Sequence, residues 1–123
     1  MLKTLRILIV DDQSHARRSL KALLATRFHL ADTCDAVNGI EAIRCVEECK
    51  PDIVLMDVRM PEMDGIEATR IIRTKSAQIP VIILSMYGEY RAAALAAGAN
   101  AFVLKGEPAE RLLAVLLAVC STN

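Results

Sequence analysis

The sequence predicts an α/β fold of the doubly wound class, a five-stranded parallel sheet in the order 2-1-3-4-5 with helices on both faces. Three observations predict it. Short, fully apolar runs rich in β-branched residues recur along the chain, as in strands buried on both faces of a parallel sheet. Between these runs, apolar residues fall at helical spacing, so strand and helix alternate five times through short connections. Polar residues stand where four of the strands end, the position at which open sheets of this class gather their ligands.

The elements follow in order. Arg6–Val10 (RILIV) is a strand that ends in Asp11-Asp12. Gln13-Ser14 opens a helix with Ala16, Leu20, Leu23 and Leu24 on one face and a basic set, Arg17, Arg18 and Lys21, on the other. A weaker strand spans Leu30–Ala36. Asn38-Gly39-Ile40-Glu41 reads as a capping box, starting a helix that runs to about Cys49. The central strand, Ile53–Met56, is bounded by Pro51 and followed by Asp57, and Pro61 and Asp64-Gly65 make the next connection an irregular loop. Asp64 and Glu67 cap a third helix through Ile71 and Ile72 to about Thr74. Pro80 opens the strand Val81–Leu84, ended by Ser85. Glu89–Ala97 is an Ala-rich helix stopped by Gly98. Ala101–Leu104 is the last strand, ended by Lys105, and Pro108 suits the first turn of a final helix reaching Cys120. In that helix Ala109, Leu112, Leu113, Leu116, Leu117 and Cys120 form the stripe expected against the sheet. Ala114, Val115, Ala118 and Val119 are left on a face without charge, which predicts contact with a second copy, an output domain or an output protein.

The 123 residues suffice for one domain, residues 1–123, and 54% of them are hydrophobic. Fifteen basic residues balance fifteen acidic ones, so bulk charge points neither to nucleic acid nor to a membrane surface. No apolar run approaches a bilayer span, and the expected setting is cytoplasmic. The four cysteines show no C-x-x-C pair and no metal-ligand rhythm with His15 or His29, and read as small buried hydrophobes in a reducing compartment. His15 reads as a solvated residue at a helix start.

In the predicted topology Asp11-Asp12, Asp57, Ser85 and Lys105 converge on one edge of the sheet. Three carboxylates crowded together repel one another and call for a divalent cation. Oxygen ligands without His or Cys favour Mg²⁺. Lys105 is a compact positive charge suited to a phosphate oxygen, and Ser85 is a neutral donor beside it. A carboxylate facing a metal, an ammonium and a hydroxyl can attack a phosphoryl group, which makes Asp57 the candidate phosphoacceptor.

With ILIVDD at Ile7–Asp12, LMDVRMPEMDG at Leu55–Gly65, ILS at Ile83–Ser85 and GANAFVLK at Gly98–Lys105, the chain resembles the receiver domain of bacterial two-component response regulators over essentially its whole length. The resemblance implies a flavodoxin-like three-layer sandwich and a phosphorelay function. Asp57 would accept a phosphoryl group from a sensor histidine kinase or a phosphotransfer protein, in a Mg²⁺-dependent reaction. Asp12 would bind Mg²⁺ directly and Asp11 mainly through water, with Asp57 and the backbone carbonyl of Arg59 completing the metal set. Ser85 would bond one phosphoryl oxygen and Lys105 another. Phe102 stands at the aromatic switch position, where the ring moves inward as Ser85 is drawn to the phosphate.

Two departures stand out. Gly106 follows Lys105 where the family often has Pro, so Lys105 must be held some other way. Met86 follows Ser85 where many members have Ala or Gly, which predicts restricted access for small phosphodonors. Both, with the strings LSMYGEY and LKGEP, resemble receivers joined to LuxR-type helix-turn-helix domains. No such DNA-binding domain is legible here, so the chain is expected to be a stand-alone receiver or a piece of a longer DNA-binding regulator, itself touching no nucleic acid. A Mg²⁺-dependent phosphohydrolase of the haloacid-dehalogenase type would need a second Asp where Arg59 stands, and has no cap here. The expectation is therefore a signalling module rather than an enzyme.

Overall fold

The computed structural model describes residues 3–121. Its main sheet is parallel, built from β2 (Ile7–Val10), β4 (Cys34–Ala36), β5 (Ile53–Asp57), β6 (Val81–Ser85) and β7 (Ala101–Leu104) in the order β4-β2-β5-β6-β7. Counted along the chain, that is 2-1-3-4-5, as expected. Two short strands, β1 (Lys3–Leu5) and β3 (Phe28–Leu30), pair in parallel and extend the first two strands beyond a break. Arg6 makes the break in the first strand. Its N–H donates to the Asp52 carboxylate at 2.8 Å, and Asp52 N–H donates back to the Arg6 carbonyl at 2.8 Å. The weaker strand expected over Leu30–Ala36 is likewise two pieces, parted by Ala31–Thr33, and begins earlier because Phe28 is anchored in the core.

The helices are α1 (Ser14–Leu24), α2 (Gly39–Cys49), α3 (Gly65–Lys75), α4 (Arg91–Ala96) and α5 (Ala109–Ser121). Strand alternation sends successive side chains to opposite faces. Leu8, Val10, Val54, Met56, Val81 and Ile83 pack under α2, α3 and α4. Ile7, Ile9, Ile53, Leu55, Ile82 and Leu84 pack under α1 and α5. β5 is hydrogen-bonded to β2 on one side and to β6 on the other, and its Ile53–Met56 run is buried throughout. That burial is why the segment carries no polar residue before Asp57.

The caps are close to expectation. Asn38 accepts from Glu41 N–H at 2.9 Å, but Glu41 returns the bond to Val37 N–H at 3.1 Å, one residue earlier than a standard capping box. Asp64 accepts from Glu67 N–H at 2.9 Å, while the Glu67 carboxylate pairs with Arg70. The helix expected over Glu89–Ala97 is a 3₁₀ turn, Gly88–Tyr90, followed by the short α4.

Two expectations are corrected. In α5 the buried residues are Leu112, Leu113, Leu116 and Cys120, whereas Ala109 and Leu117 are exposed and Val115 and Val119 are half-buried against the core. The helix is rotated so that its outer face carries Ala114, Leu117 and Ala118. The cysteines are not all reduced: Cys34 and Cys49 form a disulfide, and Cys45 and Cys120 are free and buried. The pairing of β4 with β2 lays β4 beside α2 and brings Cys34 within reach of Cys49.

Candidate functional site

β2 runs directly into Asp11, whose N–H still joins the sheet by donating to the Ala36 carbonyl at 3.1 Å. The carboxylate is therefore fixed, and it is only 2% exposed. One of its oxygens accepts from Gln13 N–H at 3.0 Å and the other from Lys105 Nζ at 3.0 Å. Asp12, one residue on, projects into solvent at the mouth. Asp57 ends β5. Its Oδ1 accepts from Val58 N–H at 3.0 Å and lies 3.2 Å from Lys105 Nζ. Carboxylate oxygens of Asp11, Asp12 and Asp57 all lie within 4.8 Å of one another.

The sequence makes this crowding possible at Gly65. Its N–H donates to the Val58 carbonyl at 2.8 Å, and a β-carbon there would overlap the carbonyl oxygen of Asp57. Only glycine lets α3 begin so close to the strand end. Lys105 is aimed without a proline after it. Its N–H donates to the Ser85 carbonyl at 2.8 Å. Just beyond, Glu107 closes a turn, accepting from Leu104 N–H through its carboxylate at 3.1 Å and donating its own N–H to the Leu104 carbonyl at 3.1 Å.

Electrostatics follow from this packing. Burial pushes the Asp57 carboxyl above the usual carboxylate range, with Lys105 opposing the shift and Asp11 adding to it. Burial works against the charged form of Lys105, but the hydrogen bond to Asp11 and the charges of Asp57 and Asp11 outweigh it and raise its pKa.

Ser85 ends β6 and is 2% exposed. Its Oγ is engaged within its own loop, accepting from Tyr87 N–H at 3.0 Å and donating to the Tyr87 carbonyl at 3.2 Å. Asp11, Asp12, Asp57, Arg59, Ser85 and Lys105 line one open cleft of about 550 Å³. Met86 also lines the cleft, and its side chain is exposed. Phe102 does not line the cleft. It sits on β7 opposite Ile83, 3% exposed, with the Arg91 guanidinium 5.7 Å from its ring centroid. The ring already occupies an inward position.

Sequence reasoning missed two contributors. Arg17 belongs by sequence to the basic face of α1, yet its Nη1 donates to the Asp11 carbonyl at 2.7 Å and its Nε to Asp35 at 3.0 Å, with Lys21 on Asp35 at 2.7 Å. It anchors the acid pair to β4. Tyr87 closes the other wall, its ring 5.4 Å from the Arg59 guanidinium. The Arg17 contact with Asp35 and the Tyr87 contact with Arg59 are not local in sequence, so no spacing pattern announces them. The donor set suits a hard divalent cation: three carboxylates, one of them solvent-facing, in a cleft roomy enough for water ligands.

The family described as response regulator receiver domain matches residues 7–117. The chain is 40% identical over 111 residues to the uncharacterized transcriptional regulatory protein YhcZ of Bacillus subtilis, covering 89% of this chain and 52% of that protein. It is 44% identical over 104 residues to the regulatory protein AtoC of Escherichia coli, covering 81% of this chain and 22% of that protein. Among solved structures, a LuxR-family two-component response regulator from Aurantimonas superposes with a TM-score of 0.92 at 32% identity, over 98% of this chain and 88% of that one. The chain thus spans about half the length, or less, of these curated relatives. No helix among the described residues is long and apolar enough to cross a membrane.

Proposed function

The chain belongs to the response regulator receiver domain family, and on that premise we propose that Asp57 accepts a phosphoryl group from a phospho-histidine on a sensor kinase or phosphotransfer protein. The observation that carries this reading is Lys105 Nζ seated between Asp11 and Asp57, at 3.0 and 3.2 Å, inside a cluster of three carboxylates. An Asp57 oxygen attacks phosphorus, the bond from phosphorus to the histidine nitrogen breaks, and the imidazole leaves and takes up a proton. Lys105 then turns from the carboxylates to a phosphoryl oxygen, supplying fixed positive charge where negative charge accumulates.

Receiver domains bind Mg²⁺ at an acidic pocket. Here Asp12 and Asp57, Asp11 mainly through water, and the backbone carbonyl of Arg59 would hold it. When bound, Mg²⁺ neutralises phosphoryl charge during transfer.

Ser85 has to leave the Tyr87 backbone to reach a phosphoryl oxygen. The switch is then an exchange of partners, in which the loop after β6 loses two hydrogen bonds as the phosphoryl group gains one. Phe102 pairs with Ile83, two residues before Ser85 on β6, and its ring, already buried, adjusts within the core rather than entering it. The chain acts as a cytoplasmic signalling module whose only chemistry is its own phosphorylation and dephosphorylation. Its output passes to a second copy, or to an output domain of the LuxR-type regulator from which such a receiver would be a piece.

Incubation with Mg²⁺ and a small acyl phosphate, read by intact mass, tests the assignment. One phosphoryl adduct is expected on the wild type and none on Asp57→Asn. An undiminished adduct on that variant places the chemistry elsewhere.

A further inference from the structure

The four cysteines occupy two kinds of environment. Cys45 and Cys120 are buried, and burial pushes both thiols above their ordinary range. Cys45 also points its sulfur at the Asp35 carbonyl, 3.8 Å away, so it is engaged apart from the disulfide. Cys34 and Cys49 are partly buried at the margin of the core and bonded to each other. Cys34 lies on β4, the outermost strand on its side of the main sheet, and Cys49 ends α2. Partial exposure at the sheet edge, rather than full burial, is the setting in which a small thiol can exchange with a disulfide.

We propose that Cys34 and Cys49 are a reversible dithiol–disulfide couple at the sheet edge, set by low-molecular-weight thiols and disulfides of the glutathione type. In reduction, a small thiolate attacks one sulfur of the bridge, forms a mixed disulfide and releases the other cysteine. A second small thiolate attacks the mixed disulfide, freeing the remaining cysteine and leaving as the small disulfide. Two electrons pass from two small thiols to the bridge, and the two cysteines take up two protons. Oxidation runs the same steps backwards, with the small disulfide as oxidant. The bridge spans a sequence separation of 15 and fastens the edge strand to the far end of α2. The enclosed segment contains Asp35, which holds Arg17 and Lys21, and Asn38, which caps α2. Oxidation therefore locks the edge on which α1 is anchored, and reduction leaves that edge to packing and the cap.

The full chain is equilibrated across a series of reduced to oxidised glutathione, quenched in acid, alkylated under denaturing conditions and weighed, with peptides mapped. The wild type should pass from four alkylated cysteines to two as the buffer becomes oxidising, with a cross-linked peptide joining Cys34 to Cys49 and a melting temperature several degrees higher when oxidised. Cys45→Ser should keep the transition. Cys34→Ser and Cys49→Ser should abolish it and make melting insensitive to the buffer. Four alkylated cysteines throughout, a bridge through Cys45, or a bridge that excess reduced glutathione leaves intact would each overturn the proposal. The wild-type peptide map decides the pairing even if a variant folds poorly.

Discussion

Asp57 is ionised against its surroundings, and this has a measurable sign. Its pKa is raised in the fold, first by burial and then by Asp11, so the native state binds the proton more tightly than the unfolded chain does. The stability gained from that proton is present below the ordinary carboxylate pKa and is lost as pH rises through the raised value. At neutral pH the charge on Asp57 therefore destabilises the fold. In chelator, Asp57→Asn should melt higher than wild type at pH 7, with the difference vanishing below the ordinary carboxylate pKa. Equal melting at both pH values would mean that Lys105 cancels the cost in full. Arg17 and Arg18 are neighbours with different duties. Arg17 holds the Asp11 carbonyl and Asp35, whereas Arg18 is exposed. Arg17→Ala should slow phosphorylation about tenfold from any donor, because a displaced acid pair costs on the order of 1–2 kcal/mol. Arg18→Glu should slow it only from a protein donor. Donor-independent slowing by Arg18→Glu would remove it from any docking face.

Among the elements, α3 is the one whose start the site depends on. Its first residue packs against the Asp57 carbonyl without a side chain. Gly65→Ala should cost more than about 3 kcal/mol and remove phosphorylation, since the helix start and the strand end cannot both stay in place. A variant that melts within 1 °C of wild type would show that the loop absorbs the methyl group. Several elements were legible from local rules alone: apolar runs gave four of the five main strands, and Asn38 and Asp64 gave two helix starts. What escaped depended on contacts distant in sequence. The break at Arg6 needs Asp52, the early start of β3 needs the core around Phe28, and the disulfide needs β4 laid beside α2. The site divides the same way. Asp11, Asp12, Asp57, Ser85 and Lys105 could be placed together because each ends a strand or follows one. Arg17 and Tyr87 could not, because each acts from another element through a backbone atom or a ring.

For the molecule as a whole, the outer face of α5 carries one of several large apolar side chains left exposed, the others being Ile40, Met86, Tyr87 and Leu95. Leu117 is 48% exposed there, between the exposed Ala114 and Ala118. Val115 and Val119 are unsuitable probes, since both pack on the core. Leu117→Glu should leave stability within about 0.5 kcal/mol while weakening self-association or output binding, as read by light scattering with and without phosphorylation. Unaltered association would direct attention away from this helix. The position of α5 also bears on how the chain is made. Ile7, Ile9, Ile53, Leu55 and Ile82 all lie on the face that Leu112, Leu113 and Leu116 cover. During synthesis the strands leave the ribosome well before α5 does, whereas α2 and α3 emerge in time to cover the opposite face. For that interval one side of the nascent sheet is clothed and the other is covered by α1 alone. Nascent chains halted before residue 109 should therefore be captured by chaperones that bind exposed aliphatic surface, and chains that include α5 should be released.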